Sequence, residues 1–215
     1  MSISIIDNIG SSFSYAFENT FIKFGRWLGL SILLLIPIAS FVACGIFLKI
    51  FRDEEPDFSD AGNSFIQGLL SRIISYIYIT IPFYLIFFGY ILINVELKIP
   101  TPLSVILLVI GFIIIIFLGL ISTVGLINFA RSGRFLNAFQ LKDIFTMINK
   151  AGWGKYILSY IIILIILFLF IGILLGYICI IPVVIPVILL FPLIASFIYF
   201  VLCKFLSNIF EREAE

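Results

Sequence analysis

Histidine is absent from the sequence, cysteine occurs three times, and charge is sparse: 13 Lys+Arg and 12 Asp+Glu make up 12% of 215 residues. Each shortage excludes a class of chemistry. Without imidazole there is no His general base, no Ser-His-Asp triad and no histidine-ligated metal. Cys44, Cys179 and Cys203 are odd in number and lie far apart in apolar stretches, so they form neither a disulfide framework nor a zinc site and read as space-filling. No P-loop and no G-x-G-x-x-G occurs. A net charge of +1 gives no field for attracting phosphates, which excludes nucleic acid as a partner. No cofactor, metal site or catalytic residue is expected, and the chain does not read as an enzyme. The N-terminus carries only Asp7 in its first seventeen residues and lacks the positive leader of a signal peptide, and no Asn-x-Ser/Thr acceptor occurs.

What is abundant is apolar. Ordinary soluble domains carry roughly twice this charged fraction. A chain that is 63% hydrophobic cannot bury those residues in one small core, so lipid must cover much of its surface. Since a membrane-crossing helix needs about 20 apolar residues, the distances between successive charges give the spans. Arg26 to Lys49 and Arg72 to Glu96 each enclose one. The stretch from Ile99 to Ala130 leaves one from Leu103 onward, because Pro100 and Pro102 disfavour helix at its start. Between Lys155 and Lys204, 48 uncharged residues run from Tyr156 to Cys203, enough for two helices joined near Pro182 and Pro186. The expected architecture is an all-α integral membrane bundle of about five transmembrane helices, at about 27–48, 73–95, 103–130, 156–180 and 187–207, forming a single bundle over 27–210.

Lys and Arg set the orientation. With five spans, Lys23, Arg26 and Lys98 fall on one side and the ten others on the opposite side, giving a cytoplasmic membrane protein with its C-terminus in the cytoplasm and its N-terminus outside. The segment 1–26 complicates this. Ile5, Ile9, Phe13, Phe17 and Phe21 recur every four residues, with Asp7, Ser11, Ser14 and Glu18 mostly elsewhere, as in an amphipathic helix lying in the interface, and such a helix suits either face.

A weak internal echo offers a second arrangement. Leu35-Ile36-Pro37-Ile38-Ala39-Ser40-Phe41 resembles Leu190-Phe191-Pro192-Leu193-Ile194-Ala195-Ser196-Phe197, and Phe24-Gly25-Arg26-Trp27 resembles Ala151-Gly152-Trp153-Gly154-Lys155. Trp beside Lys or Arg is also the ordinary headgroup anchor. If the echo is a duplication, the first segment folds back at Pro37 as a re-entrant hairpin and residues before Trp27 are internal. Five spans are the preferred reading.

No Asp, Glu, Lys or Arg lies inside a predicted span, which disfavours proton-coupled transport and intramembrane proteolysis. Ser75, Tyr76, Tyr78, Thr80, Tyr84, Tyr90 and Asn94, with Ser122, Thr123 and Asn128, are the polar groups at depth; packing and the aromatic belt explain them better than a solute pathway does. Gly172 with Gly176 forms G-x-x-x-G, a helix-packing signal, as do Gly25 with Gly29 and the small pairs Ala39 with Ala43 and Gly119 with Thr123. The acidic run from Asp53 to Asp60 reads as a solvated loop, with docking of a basic partner as the alternative. In the cytoplasmic loop 131–155, Phe135, Phe139, Ile144, Phe145 and Ile148 approximate one helical face. Arg131, Arg134, Lys142, Lys150 and Lys155 face only Asp143 as an opposing charge, the pattern of a basic amphipathic segment on anionic lipid or on a partner protein.

Asn128-Phe129-Ala130, Gly133, Ala138-Phe139 and Ile144, supported by Pro56-Asp57-Phe58, Gly68-Leu69 and Phe13-Ser14-Tyr15-Ala16-Phe17, resemble an archaeal family of multi-pass membrane proteins, domain of unknown function 4013. The resemblance implies a helical bundle in an archaeal cytoplasmic membrane and carries no activity. The resulting expectation is a non-catalytic accessory or membrane-organising protein that binds lipid or another membrane protein through its cytoplasmic loops. A small permease for a neutral or apolar solute is the alternative, with Pro37, Pro82 and Pro192 as candidate helix breaks.

Overall fold

A computed structural model describes residues 5–94, 101–180 and 184–210, with side chains described for 5–91, 105–169, 171–172 and 190–210. Lys98, Pro100, Pro182 and Arg212 lie outside the described residues, as do the side chains of Asn94, Gly176, Cys179 and Pro186. All described elements are helical: α1 Ile5–Phe17, α2 Phe24–Leu35, α3 Ser40–Ile50, α4 Ala61–Asn94, α5 Thr101–Ser132, α6 Leu141–Ala151, α7 Trp153–Ile180 and α8 Val184–Phe210. A π-helical turn, Glu18–Ile22, links α1 to α2, and a 3-10 turn, Phe135–Phe139, links α5 to α6. Three of the helices are long and apolar enough to cross a membrane, four if the α6–α7 pair counts as one bent span. The chain divides into two compact units, Met1–Leu69 with Phe145–Glu215, and Leu70–Ile144.

The expected span over 27–48 falls in the first unit. Instead of one 22-residue helix there are two, α2 and α3, of 12 and 11 residues, separated by Ile36–Ala39. Proline at 37 has no amide to donate and its ring disfavours helix in the residue before it, so Ile36 adopts an extended conformation (φ −97°, ψ 116°). The chain then returns. Lys23 Nζ, just before α2, lies 2.7 Å from Glu55 Oε1, just after α3, so both ends of this hydrophobic segment share one level. Pro82 and Pro192, by contrast, sit inside continuous helices, so the echo between 35–41 and 190–197 does not extend to the backbone. Pro102, expected to delay α5, occupies its first turn, where a missing amide costs nothing.

Helix α3 is the centre of this unit, buried almost completely from Ala43 to Phe51. Its close neighbour is the start of α4: a Cβ on Gly45 would overlap the Ser64 carbonyl, and one on Gly68 would overlap the Phe41 carbonyl. Two glycines thus let the helix backbones touch. Phe47 stacks on Tyr199 at 5.0 Å and meets Phe200 edge-on at 5.2 Å, joining α3 to α8.

Helix α1 packs on α8 through its polar and small residues. Asn8, Ser12, Ala16, Asn19 and Thr20 are buried, whereas Phe13, Phe17 and Phe21 are 41%, 54% and 53% exposed. Asn8 Nδ2 donates to the Phe205 carbonyl at 3.2 Å and Asn208 Nδ2 donates to Asn8 Oδ1 at 2.7 Å. Further along, Trp27 Nε1 donates to Ser196 Oγ at 2.8 Å, and Ser31 and Ser196 hydroxyls bond at 2.9 Å. Burying small and polar groups while leaving aromatic ones outside is how helices associate where hydrocarbon is the solvent.

In the second unit α4 and α5 run antiparallel, with Gly89 against Leu108 and Gly111 against Ile86. Large apolar side chains face outward from both: only 17% of the hydrophobic window of α4 and 11% of that of α5 is buried within the chain. Soluble helices do not expose such faces, and lipid is their natural cover. The end of α5 is fixed by Gly133, whose φ of +67° only glycine adopts freely and whose amide donates to the Phe129 carbonyl at 2.8 Å. The 3-10 turn then folds back. Asn128 Nδ2 donates to the Asn137 carbonyl at 2.8 Å, Tyr78 Oη donates to the Ala138 carbonyl at 2.6 Å, and Phe139 stacks on Tyr78 at 5.4 Å. A Cβ on Gly125 would come within 2.5 Å of the Ala138 carbonyl.

Candidate functional site

The polar groups of the first unit converge at the base of the α2–α3 hairpin. Asp53 ends the turn after α3 with φ +57°, a left-handed conformation that Asp tolerates better than most residues, and the Glu54 amide returns to the Lys49 carbonyl at 3.0 Å. The acidic run that follows therefore bends over the hairpin. Each carboxylate reaches a different cation: Asp53 lies 3.2 Å from Lys204 on α8, Glu54 3.3 Å from Arg52, Glu55 2.7 Å from Lys23 and 3.7 Å from Arg26, and Asp57 2.6 Å from Lys49 on α3. Asp60 caps α4, accepting from the Asn63 amide at 3.3 Å. Four of these five acids hold the chain's own cations and the fifth caps a helix. The run is a largely exposed loop, in keeping with the solvated reading, and its carboxylates form an intramolecular clasp.

Beside the clasp opens a cleft of about 200 Å³, lined among others by Tyr15, Glu18, Lys23, Asp53, Glu55 and Lys204. Burial pushes the Tyr15 hydroxyl up to about 12, with the Cys203 thiol and the Asp53 and Glu55 charges adding to the rise and Arg26 opposing it. Tyr15 is thus a neutral phenol at physiological pH, and the Lys204 ammonium lies 5.6 Å from its ring centroid. The hydrogen bond from Lys23, and then its charge with that of Arg26, holds the Glu55 carboxyl below its usual range. Lys49 and Ser59 hydrogen bonds lower Asp57 to about 2. Both cations lining the cleft face a carboxylate, an arrangement suited to holding structure or a polar headgroup.

The sequence-derived basic residues fall elsewhere. Arg131 and Arg134 are exposed around the end of α5, Lys142 and Lys150 are exposed on α6, and Lys155 is exposed in the first turn of α7. Helix α6 buries Ile144 and Ile148 on the opposite side, with Phe145 half-buried. At Gly152, whose φ is +85°, the chain turns by 94° into α7. Gly172 was expected to mark helix packing; a Cβ there would meet nothing within 4 Å, so it faces open surface. Among the described glycines, tight approaches occur at Gly45, Gly68, Gly111 and Gly125. Cys44 and Cys203 are free thiols, half-buried and buried.

Three of the hydroxyls at depth are occupied locally. Thr80 Oγ1 donates to the Tyr76 carbonyl at 2.6 Å, Thr123 Oγ1 to that of Gly119 at 2.9 Å, and Ser75 Oγ to that of Ser71 at 3.0 Å. Such bonds to the preceding turn satisfy a hydroxyl without a partner helix or solute.

Residues 29–184 match a family described as a protein of unknown function, DUF4013. The chain belongs to that family. The match takes in α3 to α7 whole and leaves out α1 and nearly all of α8, the two helices joined by the Asn8 and Asn208 bonds. The motif residues carrying the earlier resemblance have structural duties. Asn128, Gly133 and Phe139 build the fold-back after α5, while Phe129, Ala130, Ala138 and Ile144 are buried. No curated protein and no solved structure matches the chain.

Proposed function

We propose that this DUF4013 member is a non-catalytic membrane-organising protein that crosses the bilayer four times, with α4, α5, α7 and α8, and gathers lipid at the cytoplasmic face. One observation carries the reading: the Lys23–Glu55 contact, which returns the hydrophobic segment 24–50 to the level at which it began. A segment that returns adds no crossing, so both chain ends lie on one side. The cation distribution supports this. With five crossings three of the 13 Lys+Arg fall on the minority side; with four crossings only Lys98 does. These two observations favour the re-entrant alternative over the five-span arrangement with an external N-terminus.

A thiol-labelling experiment tests the topology. In a variant lacking native cysteines, single cysteines at Ser2 and Ala214 should react with an impermeant maleimide from the same side of sealed vesicles. Reaction from opposite sides would restore five crossings.

The lipid role rests on the exposed cations Arg131, Arg134, Lys142, Lys150 and Lys155, each worth about 1 kcal/mol near an anionic surface. Replacing Lys142, Lys150 and Lys155 with Gln should lower retention of anionic lipid several-fold in native mass spectrometry, at unchanged retention of zwitterionic lipid. Equal retention of both would remove these lysines from the lipid reading and leave a protein partner as their role.

A further inference from the structure

The first unit places unequal amounts of protein in the two leaflets. The clasp pairs Lys23–Glu55 and Lys204–Asp53 fix one polar level. Helix α8 extends beneath that level, and Phe197, seven residues before Lys204, lies about 10 Å deeper at 1.5 Å per residue. Phe13 meets Phe197 at 6.2 Å and Phe21 meets it at 6.5 Å, so the exposed aromatic side of α1 sits at that depth. An interfacial helix buries its apolar face about 5–10 Å into the headgroup and acyl boundary. The occupant of the Phe13, Phe17 and Phe21 face is therefore acyl chain, and the ring contacts Phe17–Phe21 at 4.8 Å and Phe21–Trp27 at 5.2 Å continue it onto α2.

The hairpin stops short as well. Helix α2 has 12 residues, about 18 Å at 1.5 Å per residue, so Pro37 reaches roughly the middle of a bilayer whose hydrocarbon is about 30 Å thick. The tip is apolar and open, with Ile36 51% and Ile38 70% exposed. Among the described residues of this unit, α1, α2, α3 and the start of α4 lie on the clasp side of the Pro37 tip beside α8, and of the unit's elements only α7 and α8 are long enough to continue past it. With helix diameters of about 10 Å, the excess is roughly 80 Å² for each of α2 and α3, and α1, packed along α8 from Asn208 to Phe197, adds to it on the same side.

We propose that this unit is a one-leaflet wedge whose ligand is a curved lipid surface, with the leaflet holding α1–α3 on the convex side. Area inserted into one leaflet strains a flat bilayer and is accommodated where that leaflet is expanded, which makes such insertions sensitive to curvature. The inference rests on the four-crossing reading and adds a physical activity to it.

The test uses the full chain with a protease-cleavable epitope at each terminus, reconstituted from detergent into small sonicated and large extruded vesicles of one lipid composition. Small vesicles should select chains with both termini outward, raising the outside-to-inside cleavage ratio at least about twofold over large vesicles. Phe13→Ser with Phe17→Ser should bring the small-vesicle ratio back toward the large-vesicle value. The Asn8–Ser12–Ala16 seam is untouched in this variant, which gives up the Phe13 ring contact with Phe197; Phe17→Ser alone keeps that contact and gives the same answer at smaller amplitude if the double variant is poorly expressed. Equal ratios in both vesicle sizes overturn the wedge. Epitopes cleaved from opposite sides of one vesicle population overturn the four-crossing reading itself.

Discussion

Gly68→Ala should lower the thermal midpoint of the detergent-solubilised protein by on the order of 10 °C, equivalent to about 3 kcal/mol for a chain of this length. The methyl group would overlap the Phe41 carbonyl and stand 2.8 Å from the Gly45 amide nitrogen. Both are backbone atoms, so no rotamer change relieves the overlap and the two helices must move apart. That movement disturbs the Phe41–Phe65 edge contact at 5.7 Å and the helix carrying buried Lys49. Gly45→Ala should behave alike, because its methyl overlaps the Ser64 carbonyl. The comparison is with Gly10→Ala and Gly172→Ala, where a Cβ meets nothing within 4 Å. There alanine's helix propensity is the main effect, and the midpoint should hold or rise slightly, since Ala is favoured over Gly by about 0.5–1 kcal/mol in a helix interior. A Gly68→Ala midpoint within the range of those two controls would refute the close crossing of α3 and α4.

These glycines also mark how far the sequence could be read. Long gaps between charges located α4, α5, α7 and α8, because hydrocarbon penalises charge regardless of how helices are arranged. The same rule gave residues 27–48 as one helix, where the structure has two. Twenty-two uncharged residues satisfy the length of a crossing whether the chain goes through or turns back, and the deciding terms are the clasp pairs, which join residues 32 and 151 positions apart. Pro37 was the local signal, yet Pro82 and Pro192 carry the same residue through unbroken helices, so proline alone does not separate the cases. The polar side of α1 was legible as Asp7, Ser11, Ser14 and Glu18, whereas Asn8, Ser12 and Ala16 were not seen as a packing seam. A four-residue repeat of small and polar groups means protein contact in lipid and solvent exposure in water, and periodicity is blind to the medium. Likewise Gly172 carries the packing spacing, but a Cβ there meets nothing within 4 Å; spacing does not give the direction a helix face points.

Removing the acid from the buried end of α3 should destabilise the protein more than removing acid and cation together. Lys49 is 7% exposed, and its ammonium is held by Asp57 Oδ1 at 2.6 Å and by the Asp57 carbonyl at 3.2 Å. In Asp57→Leu the ammonium keeps one neutral acceptor and loses its counter-charge while buried, the situation in which a broken pair costs more than the intact pair contributed. The midpoint should fall by roughly 5 °C or more. In the double variant Lys49→Met with Asp57→Leu the buried charge is gone, the methionine fills the lysine's apolar path, and most of that loss should return. Acidification probes the same pair in the unaltered protein. Asp57 is lowered from 3.8 to about 2 by the Lys49 and Ser59 hydrogen bonds. A carboxyl depressed in the folded state stabilises it fully above the unfolded value and loses that contribution as pH falls from about 4 to about 2. The midpoint should therefore decline through this window in the parent and decline less steeply in the double variant. If the double variant melts as low as Asp57→Leu, or if its acid decline matches the parent's, the ion pair is not what holds the acidic turn against α3.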